Sequence, residues 1–137
     1  MKQVAVIMIN YNTSKFTLEC IQSVVSNTSE AISYEIIVVD NNSEYSDYKN
    51  LKEHFPKQPN ITLHRSDINT GFGGGNMFGA QFASAHYLLF LNNDAVTQND
   101  CLNILYRFME DNKEVGVCTA QNYDEHGGFV PSFDHNK

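Results

Sequence analysis

Tyr87-Leu88-Leu89-Phe90-Leu91-Asn92-Asn93-Asp94 is an apolar run that stops abruptly in two amides and a carboxylate. Such a run reads as a buried strand, which puts the polar triplet at its C-terminal tip. In open α/β sheets that tip is the ligand edge. A lone carboxylate flanked by amides suits a hard divalent cation, because magnesium-type ions use one or two protein carboxylates and take their other oxygens from substrate phosphate and water. The competing reading of Asp94 is a cap for the following helix.

Outward from this run, apolar stretches and helical patterns alternate. Val4 to Ile9 is a first strand. Thr13 or Ser14 then caps a helix with Leu18, Ile21, Val24 and Val25 at helical spacing. Tyr34 to Asp40 is a second strand, followed by an acidic, Tyr-rich helix that Pro56 and Pro59 close. Asn60 to His64 is a short third strand, Gly71 to Gly75 a glycine loop, and Asn76 to Ala85 a helix of small residues. After the fourth strand, Tyr87 to Leu91, comes a helix striped by Leu102, Leu105, Phe108 and Met109. Val115 to Thr119 reads as a fifth strand. Continuous apolar strands separated by helices predict a mainly parallel, Rossmann-like α/β sheet covered by helices. Beyond Thr119 the pattern fades into the turn Asp124-Glu125-His126-Gly127-Gly128, which gives the expectation of a chain truncated at its C-terminus.

The 137 residues are sized for one domain. No apolar run approaches the ~20 residues of a membrane span. The formal net charge of −7, with Arg65 and Arg107 the only arginines, argues against a nucleic-acid partner. Cys20, Cys101 and Cys118 are odd in number and form no C-x-x-C pair, so they read as thiols of a reducing compartment.

Three further strand ends carry ligand chemistry. In Asn10-Tyr11-Asn12 the tyrosine can face a nucleobase, or simply pack over the sheet edge. In Asp40-Asn41-Asn42-Ser43 the acid can accept from a base N–H or from ribose hydroxyls, while Asn42 or Ser43 can cap a helix. In Asn69-Thr70-Gly71-Phe72-Gly73-Gly74-Gly75-Asn76 the glycines allow close backbone approach, and the helix start favours an anion. A dinucleotide fingerprint would place its glycines after the first strand with the acid about 20 residues later. Here Asp40 precedes the glycines, so NAD is disfavoured. The absence of a Gly-Lys-Ser/Thr sequence excludes a P-loop. A receiver-like signalling domain would want acids where the first strand ends in Asn10 and Asn12.

The four motifs, in this order and over nearly the whole chain, resemble the nucleotide-binding half of a family 2 glycosyltransferase with the GT-A fold, especially its rhamnosyltransferase-like branch. The resemblance implies that residues 1–137 form the nucleotide-sugar-binding portion, with the acceptor-side portion absent. It implies that Asn10, Tyr11, Asn12, Asp40 and Asn42 serve the nucleobase and ribose. Asn69, Gly71, Phe72, Gly73, Gly74 and Asn76 would line the donor pocket. Asn92-Asn93-Asp94 would stand where the family has its D-x-D motif, with Asn92 in the first acidic position and Asp94 alone ligating Mn²⁺ or Mg²⁺. His126 and His135 are candidates for a completing ligand. The resemblance further implies inverting transfer from a UDP- or dTDP-linked sugar to a glycan or lipid-linked acceptor of a bacterial surface polysaccharide. The catalytic base is expected beyond Lys137, none of Asp124, Glu125 and Asp134 matching its motif, so this chain should bind donor but transfer sugar poorly. The expected location is cytoplasmic, with the full-length protein at the inner face of the membrane. The alternative is a non-catalytic nucleotide-binding or interaction module. Exposed strand edges raise the expectation of a homo-oligomer.

Overall fold

The computed structural model describes residues 1–131. Strands β1 (Lys2–Asn10), β2 (Tyr34–Asp40), β3 (Ile61–Arg65) and β4 (Ala85–Phe90) alternate with helices α1 (Ser14–Asn27), α2 (Tyr45–His54), α3 (Gly71–Ala80) and α4 (Cys101–Asp111). A short hairpin, β5 (Asn122–Tyr123) and β6 (Phe129–Val130), follows. The four main strands are all parallel, in the order β3-β2-β1-β4. The expected α/β class and parallel sheet are therefore present.

Side chains alternate across a strand, so residue parity divides the sheet into two faces. Val4, Val6 and Met8 of β1 and Ile36 and Val38 of β2 meet Cys20, Ile21 and Val24 of α1, Leu51 of α2 and Leu102 of α4 in the larger core. Ala5, Ile7 and Ile37 form a smaller core on the opposite face. There α3 packs against β1 and β2. Its fit depends on glycine: a Cβ on Gly79 would lie 2.8 Å from Ile7 Cγ2, and one on Gly75 would lie 3.0 Å from Ile9 Cδ1.

That packing corrects one reading of the sequence. Gly71 to Gly75 is the first part of α3, not a loop, and the helix ends at Ala80 rather than Ala85. Glycine is a poor helix former, but here it lets a helix lie directly on branched side chains, and this tertiary gain overrides propensity.

Val115 to Thr119 is also not a strand. Among the described residues the run pairs with no strand, and Val117 is 89% exposed. Its β-branched residues lack a neighbouring strand to complete a ladder. Consequently β4 is a sheet edge, and it is not buried on both faces as its sequence implied. Leu89 packs into the larger core, but Leu88 and Phe90 are 44% and 46% exposed on the α3 side. Among the described residues no helix is long and apolar enough to cross a membrane.

Candidate nucleotide-binding site

The strand order reverses between β1 and β4: the chain moves outward from β1 through β2 to β3, then crosses by α3 to β4 on the other side. Such a switch point leaves a crevice beyond the strand ends. A cleft of about 440 Å³ opens there. Tyr11 and Thr13 line it from the end of β1, Asn41 from the end of β2, and Asn92, Asn93 and Asp94 from beyond β4. Asn69, Gly71 and Phe72 close it from the start of α3. Two of the four motif segments thus contribute several of their residues, while the first contributes Tyr11 and the second Asn41.

The two halves of the second motif separate by parity. Asp40 continues the side of β2 that carries Ile36 and Val38, and is fully buried. Asn41 comes one residue later, joins the cleft wall, and ties the third motif to the sheet. Its Nδ2 donates to Asn69 Oδ1 (3.1 Å) and to the Gly71 carbonyl (3.0 Å), and its Oδ1 accepts from the Thr70 amide (3.1 Å). Asn69 Oδ1 also accepts from the Gly71 amide, at a glycine with φ 76°. The sequence reading passed over Asn41 in favour of its acidic neighbour; counting faces along Ile36-Ile37-Val38-Val39 would have found it.

Asn10 and Asp40 stand behind the cleft wall, not on it. Asn10 Nδ2 donates to Asp40 Oδ1 and Asp47 Oδ2, both at 2.9 Å, with Ser43 Oγ at 3.2 Å. Its Oδ1 accepts from Thr17 Oγ1 at 2.7 Å. Asp40 Oδ2 accepts from the Ser43 amide and pairs with Arg65 Nη1 at 3.4 Å. Arg65 also donates to the Ser43 carbonyl and lies over the Tyr48 ring, 4.3 Å from its centroid. Nη1 is buried with no hydrogen-bond partner, so its interaction with Asp40 is an ion pair without hydrogen-bond geometry. Burial alone would raise the Asp47 carboxyl. The hydrogen bonds from Asn10 and from the Ser14 backbone and side chain outweigh it and hold the group below the ordinary carboxylate range.

Asn12 and Asn42 are exposed and adopt left-handed backbone, φ 53° and 61°, a conformation asparagine tolerates. Asn12 clasps the two loops together. Its amide donates to Ser43 Oγ (2.9 Å), and its Oδ1 accepts from the Glu44 amide (2.8 Å). Neither residue lines the cleft. Asn42 and Ser43 do not cap α2, whose N-cap is Glu44. Gly73 and Gly74 lie in the first turn of α3, a Cβ at Gly74 falling 2.6 Å from Thr70 Cβ, and Asn76 is buried within the helix. These three likewise stand off the cleft.

Asp94 is exposed in a turn after Asn92-Asn93. The cap reading does not apply, since α4 has Asp100 as its N-cap. A row of α1 residues holds the loop that carries Asp94. Thr13 Oγ1 and Thr17 Oγ1 accept from Asn93 Nδ2 at 2.7 and 2.9 Å, and Cys20 Sγ lies 3.7 Å from the Asn92 carbonyl. Ser23 Oγ accepts from the Thr97 amide, and Asn27 Nδ2 donates to the Thr97 carbonyl. Burial, and then the charge of Asp94, push the Cys20 thiol up to about 12, so it stays a neutral donor.

Asp94 is the cleft's only carboxylate among the described residues. Among the described residues no three His, Cys, Asp or Glu side chains are grouped to hold a metal. An exposed carboxylate in a cleft that Asn92 and Asn93 also line fits a hard cation that draws most of its ligands from a bound diphosphate. His126 sits in the β5–β6 turn beside Glu125 (3.4 Å) and does not line the cleft. Asp124 caps that same turn, accepting from the His126 and Gly128 amides. Asp134 and His135 lie outside the described residues. A second groove of about 720 Å³ shares Asp94 with the cleft and runs between residues 94–99, α4 and residues 118–125.

Residues 5–135 match the family described as "Glycosyl transferase family 2". The chain belongs to that family. It is 28% identical over 112 residues to a poly(ribitol-phosphate) beta-glucosyltransferase of Bacillus spizizenii, which spans 81% of this chain and 18% of that protein. It is 25% identical over 139 residues to the poly(ribitol-phosphate) beta-N-acetylglucosaminyltransferase TarP of Staphylococcus aureus, covering 96% of this chain and 40% of that protein. The fold is similar to residues 1–349 of S. aureus TarS, solved with UDP and with UDP-GlcNAc. The TM-score is 0.69 at 20% identity, over 81% of this chain and about a third of that one. The chain thus spans well under half the length of these relatives. The rhamnosyltransferase-like branch is not singled out by them.

Proposed function

We propose that this chain forms the donor-nucleotide portion of a glycosyltransferase that takes a UDP-linked sugar with a divalent cation and serves the synthesis of a surface glycan. The observation that carries this reading is the meeting of Tyr11, Asn41 and Asp94 in one cleft at the β1/β4 switch point. In this reading the flat ring, the amide and the carboxylate would hold base, base edge and diphosphate together.

Asn41 supports a base class. Both protons of its Nδ2 are committed to Asn69 and Gly71, and its Oδ1 already takes one from Thr70. The one remaining capacity is a lone pair on Oδ1. That fits the N3–H of uracil or thymine and disfavours cytosine, whose N3 is itself an acceptor. The TarS complexes with UDP and UDP-GlcNAc favour uracil. The rhamnosyltransferase-like motifs keep a dTDP-linked donor as the second candidate. The poly(ribitol-phosphate) transferases among the relatives suggest a polyol-phosphate acceptor.

In this reading Asp94, with Asn92 beside it, holds Mn²⁺ or Mg²⁺ against the diphosphate, where the ion would offset charge on the leaving group. The chain's own work is to bind and orient. Tyr11 stacks the base, Asn41 reads its edge, and the start of α3 at Gly71 approaches the phosphates closely. The second groove beyond Asp94 gives the sugar room to project away from the nucleotide. The base that deprotonates the acceptor is assigned to no residue here, since Asp94 serves the cation and Asp124 is held in its turn. The three free thiols are in keeping with a cytoplasmic protein.

The test is calorimetric titration of UDP, dTDP, GDP and CDP into the chain with Mn²⁺. Binding of UDP, or of UDP and dTDP, with CDP excluded, is the expected result. No binding of any nucleotide by a sample that melts cooperatively would overturn the proposal.

A further inference from the structure

A one-way chain of buried and partly buried hydrogen bonds links the Asn93–Asp94 turn to the strand ends behind the cleft wall. Asn93 Nδ2 donates to Thr17 Oγ1 (2.9 Å), and Thr17 Oγ1 donates to Asn10 Oδ1 (2.7 Å). Asn10 Nδ2 in turn donates to the carboxylates of Asp40 and Asp47. A hydroxyl has one proton, and the short bond to Asn10 takes it; the alternative acceptor, the Thr13 carbonyl, is 3.5 Å away. Thr17 is fully buried and bonds to both Asn93 and Asn10. The chain terminates on carboxylates, so each donor is polarised in the same sense. That sense turns the nitrogen of Asn93 inward and leaves its Oδ1 for solvent or ligand.

We infer that Thr17 is a positioning residue that, beside the parallel bond to Thr13, ties the Asn93–Asp94 turn to the strand ends behind the nucleoside wall and so sets the aim of the cation edge. The inference rests on the reading of Asp94 as the cation ligand. No residue of the sequence motifs assigns this role, and Thr17 itself lines no part of the cleft. A loop held only by its backbone would leave Asp94 free to turn with its exposed neighbours. The link from Asn93 to Thr17, with the parallel one to Thr13 (2.7 Å), removes that freedom.

The experiment measures the Kd of UDP with and without MnCl₂ for the wild-type chain, Thr17→Val, Thr17→Ser and Asn93→Ala, with thermal melts of each. The readout is the ratio of the two constants. Thr17→Ser, which keeps the hydroxyl, should keep the wild-type ratio. Thr17→Val and Asn93→Ala should each lower it roughly tenfold, as losing one positioning hydrogen bond implies. A folded Thr17→Val with the wild-type ratio would overturn the inference. Should Thr17→Val fail to fold, Asn93→Ala decides: it leaves the Thr17–Asn10 bond in place, and an unchanged ratio there overturns the inference equally. A wild-type chain that binds UDP with no response to Mn²⁺ is a different failure, because it removes the cation reading itself and this role with it.

Discussion

Asn10 and Asp40 are register partners at the ends of adjacent parallel strands, and the amide nitrogen of one lies 2.9 Å from the carboxylate of the other in a fully buried layer. The same nitrogen serves Asp47, also at 2.9 Å. One asparagine therefore donates to two carboxylates, Asp40 fully buried and Asp47 partly so. Asn10→Ala should lower stability by about 3 kcal/mol, because it leaves both acids short of a donor. Urea denaturation would measure this. A variant as stable as wild type but deficient in UDP binding would instead make Asn10 a ligand contact.

Acid should destabilise the fold in two stages. The folded-state value of His64 is lowered by burial, where its ring stacks on Phe82 at 3.8 Å. A lowered histidine value means the folded state binds fewer protons, so stability is full above pH 6.5 and falls as pH drops below it. Asp47, also lowered, contributes stability above the ordinary carboxylate range that is lost as pH falls through its folded value. Thermal melts from pH 8 to pH 3 should show Tm declining in both ranges. His64→Phe should flatten the first decline and Asp47→Asn the second; unchanged profiles would contradict these assignments.

Two glycine substitutions in α3 should have opposite signs. At Gly79 a Cβ would meet Ile7 Cγ2 at 2.8 Å and Val39 Cγ2 at 3.0 Å, so Gly79→Ala should cost about 1–3 kcal/mol despite its better helix propensity. At Gly73 a Cβ meets nothing within 4 Å, and Gly73→Ala should stabilise by roughly 0.4–1 kcal/mol. Chemical denaturation of the pair checks both signs at once.

These glycines also show where the sequence was legible. Hydrophobic runs located β1, β2, β3 and β4 and apolar stripes most of α1 and α4, because burial of apolar surface decides those elements, while the prolines that follow it marked the end of α2. Five residues of glycine-rich chain read as a loop, since local propensity says nothing of Ile7, Ile9 and Val39 waiting beneath. Val115 to Thr119 failed for the converse reason: it has strand propensity but no partner. Within the site, the Asn92-Asn93-Asp94 tip and the Asn69–Phe72 approach were readable from composition. Asn41 was missed because acidity drew attention to Asp40, whereas period-two alternation assigns Asp40 to the buried face. The Thr13, Thr17, Cys20, Ser23, Asn27 row was invisible because its function is to hold a loop some 70 residues away in sequence.

The uncovered side of β4 should drive self-association of this chain. Leu88 and Phe90 project from an edge strand and are nearly half exposed. Light scattering should show mass rising with concentration, and Leu88→Glu should suppress the rise. A strictly monomeric wild type at high concentration would contradict this expectation.

The most direct measurement is the Kd of UDP with and without Mn²⁺ for the wild-type chain and for Asp94→Ala, with a melt to show that both are folded. Asp94 is the cleft's only carboxylate among the described residues, so the expected result is tight binding that requires Mn²⁺ in the wild type. In the variant the metal dependence should be lost. Equal, metal-dependent affinity in Asp94→Ala would contradict the assignment of this cleft as the cation-assisted donor site.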